Sequence, residues 1–129
     1  MHYKMRDQIR FKIGKEEKNI QEKWIEIPEG TEHIQMMIEM PEEFRYMAFL
    51  FLEDPKKEIR FQKLLGYGQQ NPGIGKSTKD TTIGGVPGEI YPGTWKIGIG
   101  IFTEYVAQKL GEQTGEIVLT VSDRKDEVS

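Results

Sequence analysis

Gly75, Lys76 and Ser77 are the residues whose types and order most directly indicate chemistry. Gly-Lys-Ser ends the phosphate-binding loop of P-loop nucleotidases. That loop also needs a glycine five residues before Gly75, where Gln70 stands, and a following helix whose N-terminus faces the phosphates. Residues 79–85 have no helical pattern, so the segment is predicted to be a polar loop and not a nucleotide site.

Metal ligands and catalytic bases are scarce in this chain. It has two histidines, His2 and His33, and no cysteine, whereas a zinc site takes about three or four protein ligands. We therefore expect surface histidines, no metal, no cofactor and no catalytic residue. Glu53 and Asp54 could bind calcium with loop carbonyls, but an aspartate before Pro55 is more simply a turn residue.

Four aromatic residues beside turns could form a sugar-binding face, because flat rings stack on pyranoses. They are Trp24, Tyr67, Tyr91 and Trp95, of which Tyr67, Tyr91 and Trp95 are the candidate ligand-binding residues. The alternative for Trp95 is structural. It opens an alternating strand just after a turn, where a large ring usually caps the core.

Composition argues against two classes of partner. The net charge is −3 with acids and bases intermixed, so no basic stripe is available for nucleic acid. The longest apolar run, residues 47–52, is far shorter than the roughly 20 residues of a membrane span. No apolar signal core follows the first residue, and the chain is expected in the cytoplasm. Its 129 residues suit one domain, 1–129.

Alternation of apolar and polar residues predicts strands and little else. The predicted strands cover residues 8–13, 23–27, 33–40, 46–53, 58–65, 95–101 and 115–122, with a short one near 81–83. One helix is expected at 103–110, with Tyr105, Val106, Ala107 and Leu110 on its apolar side. Residues 123–129 form a charged tail. Residues 46–53 are the most hydrophobic, which indicates a central strand buried on both faces.

Residues 66–93 differ from the rest of the chain. They hold eight of the 14 glycines and three of the six prolines, which predicts long loops, and we expect any binding surface to lie there. Short strands separated by turns predict an all-β fold, an antiparallel two-sheet β-sandwich or jelly roll of about 7–9 strands.

The turns that contain Pro87-Gly88 and Pro92-Gly93-Thr94-Trp95, followed by an alternating strand to Gly100, resemble a known pattern. They are similar to the N-terminal β-sandwich domain of some metal-dependent phosphoesterases of the polymerase-and-histidinol-phosphatase (PHP) superfamily. Residues 25–31 and 50–55 stand in the expected order. The turn also resembles, more weakly, prepeptidase C-terminal domains and carbohydrate-binding modules.

The PHP resemblance implies an accessory role. In that superfamily the metal ligands lie in a separate domain after the sandwich, so no catalytic residue carries over to this chain. We therefore expect a noncatalytic domain that packs against or shields a catalytic domain, through an apolar patch on one sheet face or along residues 66–93. The alternative is a module for carbohydrate or another small ligand that uses Tyr67 and Tyr91.

Overall fold

Two four-stranded antiparallel sheets form the protein, as the alternation predicted. The computed structural model describes residues 5–66, 71–112 and 114–124. The strands are β1 (Arg6–Ile13), β2 (Ile20–Ile27), β3 (His33–Glu39), β4 (Ala48–Glu53), β5 (Ile59–Leu65), β6 (Gly73–Gly75), β7 (Gly93–Ile101) and β8 (Gly115–Ser122). One helix, α1 (Thr103–Leu110), and the 3₁₀ turns Glu42–Phe44 and Thr78–Asp80 complete the elements.

The strand order is that of a jelly roll. The first sheet runs β1-β8-β3-β6 and the second runs β2-β7-β4-β5. Strands pair from the ends of the chain inward, β1 with β8, β2 with β7, β3 with β6 and β4 with β5. The chain therefore folds as one long hairpin rolled into two stacked sheets, which confirms the predicted sandwich.

The core lies between the sheets and is built from alternate residues of each strand. Trp95, Ile97 and Ile99 of β7 are at most 1% exposed, and Leu50 and Leu52 of β4 are fully buried. Phe11, Met36 and Leu119 meet them from the first sheet. Each such side chain stabilises the fold by about 1.5–3 kcal/mol when it leaves water.

Strand β4 is central, as predicted, but it is buried on one face only. It lies between β7 and β5, with Ala48, Leu50 and Leu52 buried while Phe49 is 39% exposed. The expectation of burial on both faces was wrong because a sheet in a two-layer sandwich has one covered side. Phe49 and Phe51 therefore point away from the core, and core packing does not explain why these positions are aromatic.

The short strand in the glycine-rich segment lies at Gly73–Gly75, not at residues 81–83 as predicted. Thr81 and Thr82 instead hold β6 in place: their hydroxyls accept hydrogen bonds from the N–H groups of Gly75 and Gly73, each at 3.1 Å. Threonine hydroxyls compete with backbone ladders in this way. The β-branched residues 81–83 therefore do not form a strand. Two of them, Thr81 and Thr82, bond to β6 through their side chains.

The same segment covers two sheet edges. Gln62 of β5 donates its N–H to Gly84 O at 3.0 Å, and Val86 donates to Arg60 O at 2.8 Å. On β6, Gly88 donates its N–H to Gly75 O at 3.1 Å. Because these contacts use the outward backbone groups of β5 and β6, this side of the sandwich is closed to another strand.

Side chains hinder strand pairing at the opposite edges of the two sheets, β1 and β2. Gln21 donates from its amide to Lys12 O at 2.6 Å. Lys23 points toward the other sheet, with Nζ 5.8 Å from the centre of the Phe11 ring. An inward lysine on an edge strand disfavours pairing with another chain. The free sheet surfaces, more than the edges, are thus open to a partner.

Helix α1 has the predicted bounds, although its apolar side differs from the prediction. Val106 is 1% exposed and faces the core, whereas Tyr105 is 47% exposed. The side chain of Leu110 lies outside the described set, as do residues 125–129 of the predicted tail. No helix in the described ranges is long and apolar enough to cross a membrane.

A buried ion pair fixes the glycine-rich segment to the second sheet. Arg60 Nη1 lies 3.4 Å from Asp54 Oδ2, and the two side chains are 4% and 0% exposed. The same guanidinium donates to Glu89 O at 2.7 Å and to Val86 O at 3.2 Å. One cation therefore joins the β4–β5 turn to residues 86–89.

We expect Arg60→Met to destabilise the protein by about 3–5 kcal/mol, because it leaves the Asp54 carboxylate buried without its cation. The double variant Arg60→Met/Asp54→Asn should recover part of that loss, since the asparagine oxygen can still accept the turn hydrogen bonds. Urea denaturation of both variants measures the difference. Equal stability of the single and double variants would contradict a buried ionic contribution.

Candidate functional site

The outward side of the second sheet, called here the outer face, is the candidate site. Cross-strand register arranges it in rows. The first row is Ile20, Gly100, Phe49 and Leu64; the second is Glu22, Gly98, Phe51 and Gln62; the third is Trp24, Lys96, Glu53 and Ile59; the fourth is Glu26 and Thr94. Residues in one row are neighbours on one side of the sheet.

Large apolar side chains are concentrated on the outer face. Ile20 is 59% exposed, Trp24 60%, Phe49 39%, Ile59 40% and Leu64 49%. These are five of the ten exposed large apolar residues in the described part of the chain. Ile20, Phe49 and Leu64 share the first row with Gly100, whereas Lys96 and Glu53 lie between Trp24 and Ile59 in the third. Single exposed apolar residues need no explanation, but a group on one sheet face indicates an interaction surface.

The outward side of the first sheet has a different character. It carries charged residues on β1, β3 and β8, including Arg10, Lys12, Glu39 and Glu116, and Arg10 Nη1 lies 3.4 Å from Glu116 Oε1. Such a surface is suited to water. The contrast between the two sheets singles out the outer face.

Two glycines of β7 make the surface of the outer face uneven. The ring of Phe51 lies directly over Gly98, in the space that a Cβ atom would occupy. At Gly100 the nearest atom to such a Cβ would be Phe49 O, at 4.0 Å. A trough therefore remains over Gly100, between Ile20 of β2 and Phe49 of β4.

The Trp24 end of the outer face is charged. Lys96 Nζ lies 3.1 Å from Glu22 Oε2 and 3.7 Å from Glu53 Oε1. The hydrogen bond to Glu22, with the negative charges of Glu22 and Glu53 adding to it, raises the pKa of Lys96 above its usual value. Lys96 thus stays cationic at neutral pH and partly offsets these two carboxylates.

Trp24 stands beside a shallow cavity of about 410 Å³. Its walls include Glu53, Pro55, Thr94 and Lys96. Thr94 donates its hydroxyl to the Glu26 carboxylate. An exposed indole with carboxylates, an ammonium and a hydroxyl around it can take part in stacking, cation–π and hydrogen-bond contacts.

The structure does not gather the predicted ligand-binding aromatics at the surface. Trp95 is fully buried, and its Nε1–H donates to Tyr91 O at 2.7 Å. The Arg60 guanidinium carbon lies 5.5 Å from the Trp95 ring centre. Trp95 therefore has no ring face open to a ligand, which agrees with the core-capping alternative.

Tyr91 gives little support to a loop site. Tyr91 is half-buried, and Lys56 Nζ lies 4.1 Å from the centre of its ring. A ligand would have to displace this lysine in order to stack on that side of the ring. Tyr67 lies outside the described residues.

His33 is buried, contrary to the prediction of a surface histidine. Its Nε2 lies 2.9 Å from Gln35 Oε1, and the Gln35 amide donates to Pro72 O at 3.0 Å. The missing side chain of Gly73 leaves room for the imidazole, since a Cβ there would come within 2.8 Å of Nε2. His33 thus belongs to a polar network on the side of β3 and β6 that faces away from the core. His2 lies outside the described residues.

The remaining sequence motifs have structural roles. Gly75 ends β6, and a short 3₁₀ turn, Thr78–Asp80, follows the Gly-Lys-Ser segment where a P-loop would require an α-helix. Asp54 Oδ1 accepts the N–H groups of Lys56 and Glu58 at 2.9 and 3.0 Å, which confirms the turn role. Within residues 5–66, 71–112 and 114–124, no three His, Asp or Glu side chains cluster as metal ligands.

Comparisons with known proteins give a likeness to solved structures and no match of other kinds. No protein-family model matches the chain, and no curated protein matches it. Among solved structures, it is similar to PliG of Aeromonas hydrophila, a periplasmic inhibitor of g-type lysozyme, with a TM-score of 0.47 and 12% identity. That match covers 91% of this chain and 84% of the other.

Sequence reasoning allowed an apolar patch on one sheet face but did not name the residues of the outer face, although a signal was present. Phe49 and Phe51 alternate with Leu50 and Leu52, so one of these pairs must point outward on a strand. Trp24 likewise alternates with Ile25, which is buried. Apolar residues on both sides of an alternating strand can mean double burial or an exposed apolar face, and only the packing distinguishes the two.

A pair of glycine substitutions tests the uneven surface of the outer face. We expect Gly98→Ala to destabilise the protein by about 1–3 kcal/mol, because its methyl group would meet the Phe51 ring. Gly100→Ala, the matched control, should be neutral or slightly stabilising, since space is open above it. Thermal unfolding of the two variants provides the comparison.

The Phe51→Ala background completes this test. In that background the loss of stability caused by Gly98→Ala should fall markedly, because the ring that the new methyl group would displace is gone. A double-mutant cycle gives the coupling free energy between positions 51 and 98. Additive effects of the two substitutions would show that the ring does not rest on Gly98.

Proposed function

We propose that this chain is a noncatalytic accessory domain that packs through its outer face against a catalytic protein. The observation that carries this proposal is that the exposed large apolar side chains of the described strands all lie on one sheet face: Ile20, Trp24, Phe49, Ile59 and Leu64. Exposing such a set to water is unfavourable, and burial against a partner removes that cost.

The make-up of the outer face suits a protein partner. Protein interfaces are enriched in aromatic residues at their centre and carry polar groups at the rim. Here Phe49 and Phe51 lie on the inner strand β4, while Trp24 and Glu26 lie on the edge strand β2 and Gln62 on the edge strand β5. The trough over Gly100 would take an apolar side chain from the partner.

Face-to-face packing is also favoured over strand addition. Residues 84–88 cover the edges of β5 and β6, and Lys23 and Gln21 obstruct the edges of β2 and β1. Binding by strand addition needs a free row of backbone groups. A sheet surface needs none, so the outer face is the more accessible docking site.

The sequence resemblance suggests one partner class, the catalytic domain of a PHP-type phosphoesterase. In such an arrangement this chain would contribute no metal ligand and no catalytic group. Its role would be to cover part of the catalytic domain and limit access to the site there. The reaction itself would belong to the partner.

Site-specific crosslinking tests the docking proposal. With p-benzoylphenylalanine in place of Phe49, illuminated cells that produce the chain should yield a discrete adduct. Mass spectrometry should identify the attached protein as an enzyme. The same residue in place of Val118, on the outward side of the first sheet, is the matched control and should give none. Equal adducts at both positions, or none at either, would contradict the proposal.

A second candidate function, carbohydrate binding, is favoured by the exposed ring of Trp24 beside Thr94, Lys96 and Glu53. An indole can stack on a pyranose while charged and hydroxyl groups bond to its hydroxyls. In this version the ligand lies on the outer face and not at Tyr67 or Tyr91.

Glycan binding separates the two candidates. If the domain is a carbohydrate module, a glycan array should show binding that Trp24→Ala abolishes, because the stacking platform is lost. Tyr91→Ala should leave it intact, since that ring lies under Lys56. Absence of binding across the array would leave the protein-docking proposal as the sole candidate.

A further inference from the structure

We infer that the protein docked on the outer face presents an arginine whose guanidinium lies on the ring of Trp24. This inference rests on the proposed docking function and specifies the chemistry of the partner. The first observation is the exposure of the ring. Trp24 is 60% exposed, whereas the other tryptophan, Trp95, is fully buried.

The Trp24 ring is open although cations cover several other rings. Within the described residues, Lys23 lies over Phe11, Lys56 over Tyr91, Arg60 over Trp95 and Lys109 over Tyr105. The nearest cation to Trp24 in register is Lys96, directly opposite on β7. Its ammonium instead bonds to Glu22 and Glu53.

The charges around Trp24 complement an incoming cation. Three carboxylates, those of Glu22, Glu26 and Glu53, lie on this part of the outer face with the ammonium of Lys96, and Lys57 lines the same cavity. Negative charges outnumber positive ones by one. Glu26 is bonded to the hydroxyl of Thr94, a neutral donor. An excess of negative charge therefore surrounds an exposed aromatic ring.

Strand geometry places two of these carboxylates on either side of the ring. Glu22 and Glu26 are each two residues from Trp24, so their side chains leave β2 on the same side, about 7 Å before and after it. A planar guanidinium can stack on an indole and still direct N–H donors to both sides. A lysine ammonium is a point charge and cannot do both equally well.

Arginine over Trp24 also fits the energetics of interfaces. In water, an exposed cation–π contact or ion pair contributes little. Both strengthen when neighbouring apolar contacts exclude water, and Trp and Arg are the residues most enriched at such positions. Ile59 lies in the same row as Trp24 but beyond Lys96 and Glu53, and Ile20 lies four residues earlier on β2. The partner would therefore supply the apolar contacts that exclude water around the Trp24 ring.

The test uses Nα-acetyl-arginine amide as the probe, titrated into the ¹⁵N-labelled full chain. We expect chemical-shift changes at the Trp24 indole N–H and at the amides of residues 94–96, saturating in the millimolar range, on the order of 10 mM. Nα-acetyl-citrulline amide has the same shape without the charge. It should produce much smaller changes at these positions.

Variants assign the effect to the proposed contacts. Trp24→Leu, which keeps an apolar side chain but removes the ring, should abolish the arginine-specific changes. Glu22→Gln and Glu26→Gln should each weaken binding by about two- to fivefold. Glu39→Gln, an exposed carboxylate of the first sheet, is the matched control and should leave binding unchanged.

Several outcomes would overturn the inference: equal responses to arginine and citrulline, no response at about 50 mM probe, or an unchanged response in Trp24→Leu. These results would not touch the docking function itself, because crosslinking from Phe49 depends on the apolar part of the outer face. Failure of that crosslinking with an intact arginine response would instead refute the docking function alone.

Discussion

Burial of one side of each sheet against the other is the constraint on which the rest of the structure depends. Once Trp95, Leu50 and Leu52 point into the core, the period of two requires their neighbours to point outward. Phe49, Phe51 and Lys96 therefore face away from the core together. The register that packs the core also decides which residues form the outer face. A substitution at an outward position therefore need not change the residues that form the core.

The long glycine-rich segment serves the scaffold in this structure. The hydroxyls of Thr81 and Thr82 hold β6, the backbone of residues 84–88 covers two edges, and Arg60 fixes the segment to the buried Asp54. Long loops often bind ligands, but the polar groups named here, in the described residues 71–93, bond within the chain. That leaves the open sheet surface as the better place for a partner.

The proposed role unites these features in one physical picture. A closed sandwich with guarded edges resists nonspecific strand pairing, so recognition has to come from side chains on a face. The outer face combines an apolar trough, aromatic rings and a charged end. The trough and rings supply the attraction, while the charged end restricts which partners fit.

The sequence by itself determined the strands, the turn at Asp54 and the bounds of β8 and α1, because alternation and turn chemistry act between near neighbours. For Trp95 it left a ligand-binding role and a core-capping role open, and the packing decided for the core. Only the tertiary structure decided the position of β6, the burial of His33 and the exposure of Phe49 and Trp24. Each of these depends on what a distant segment places above the residue, such as Gly73 beside His33, and period alone does not specify that segment.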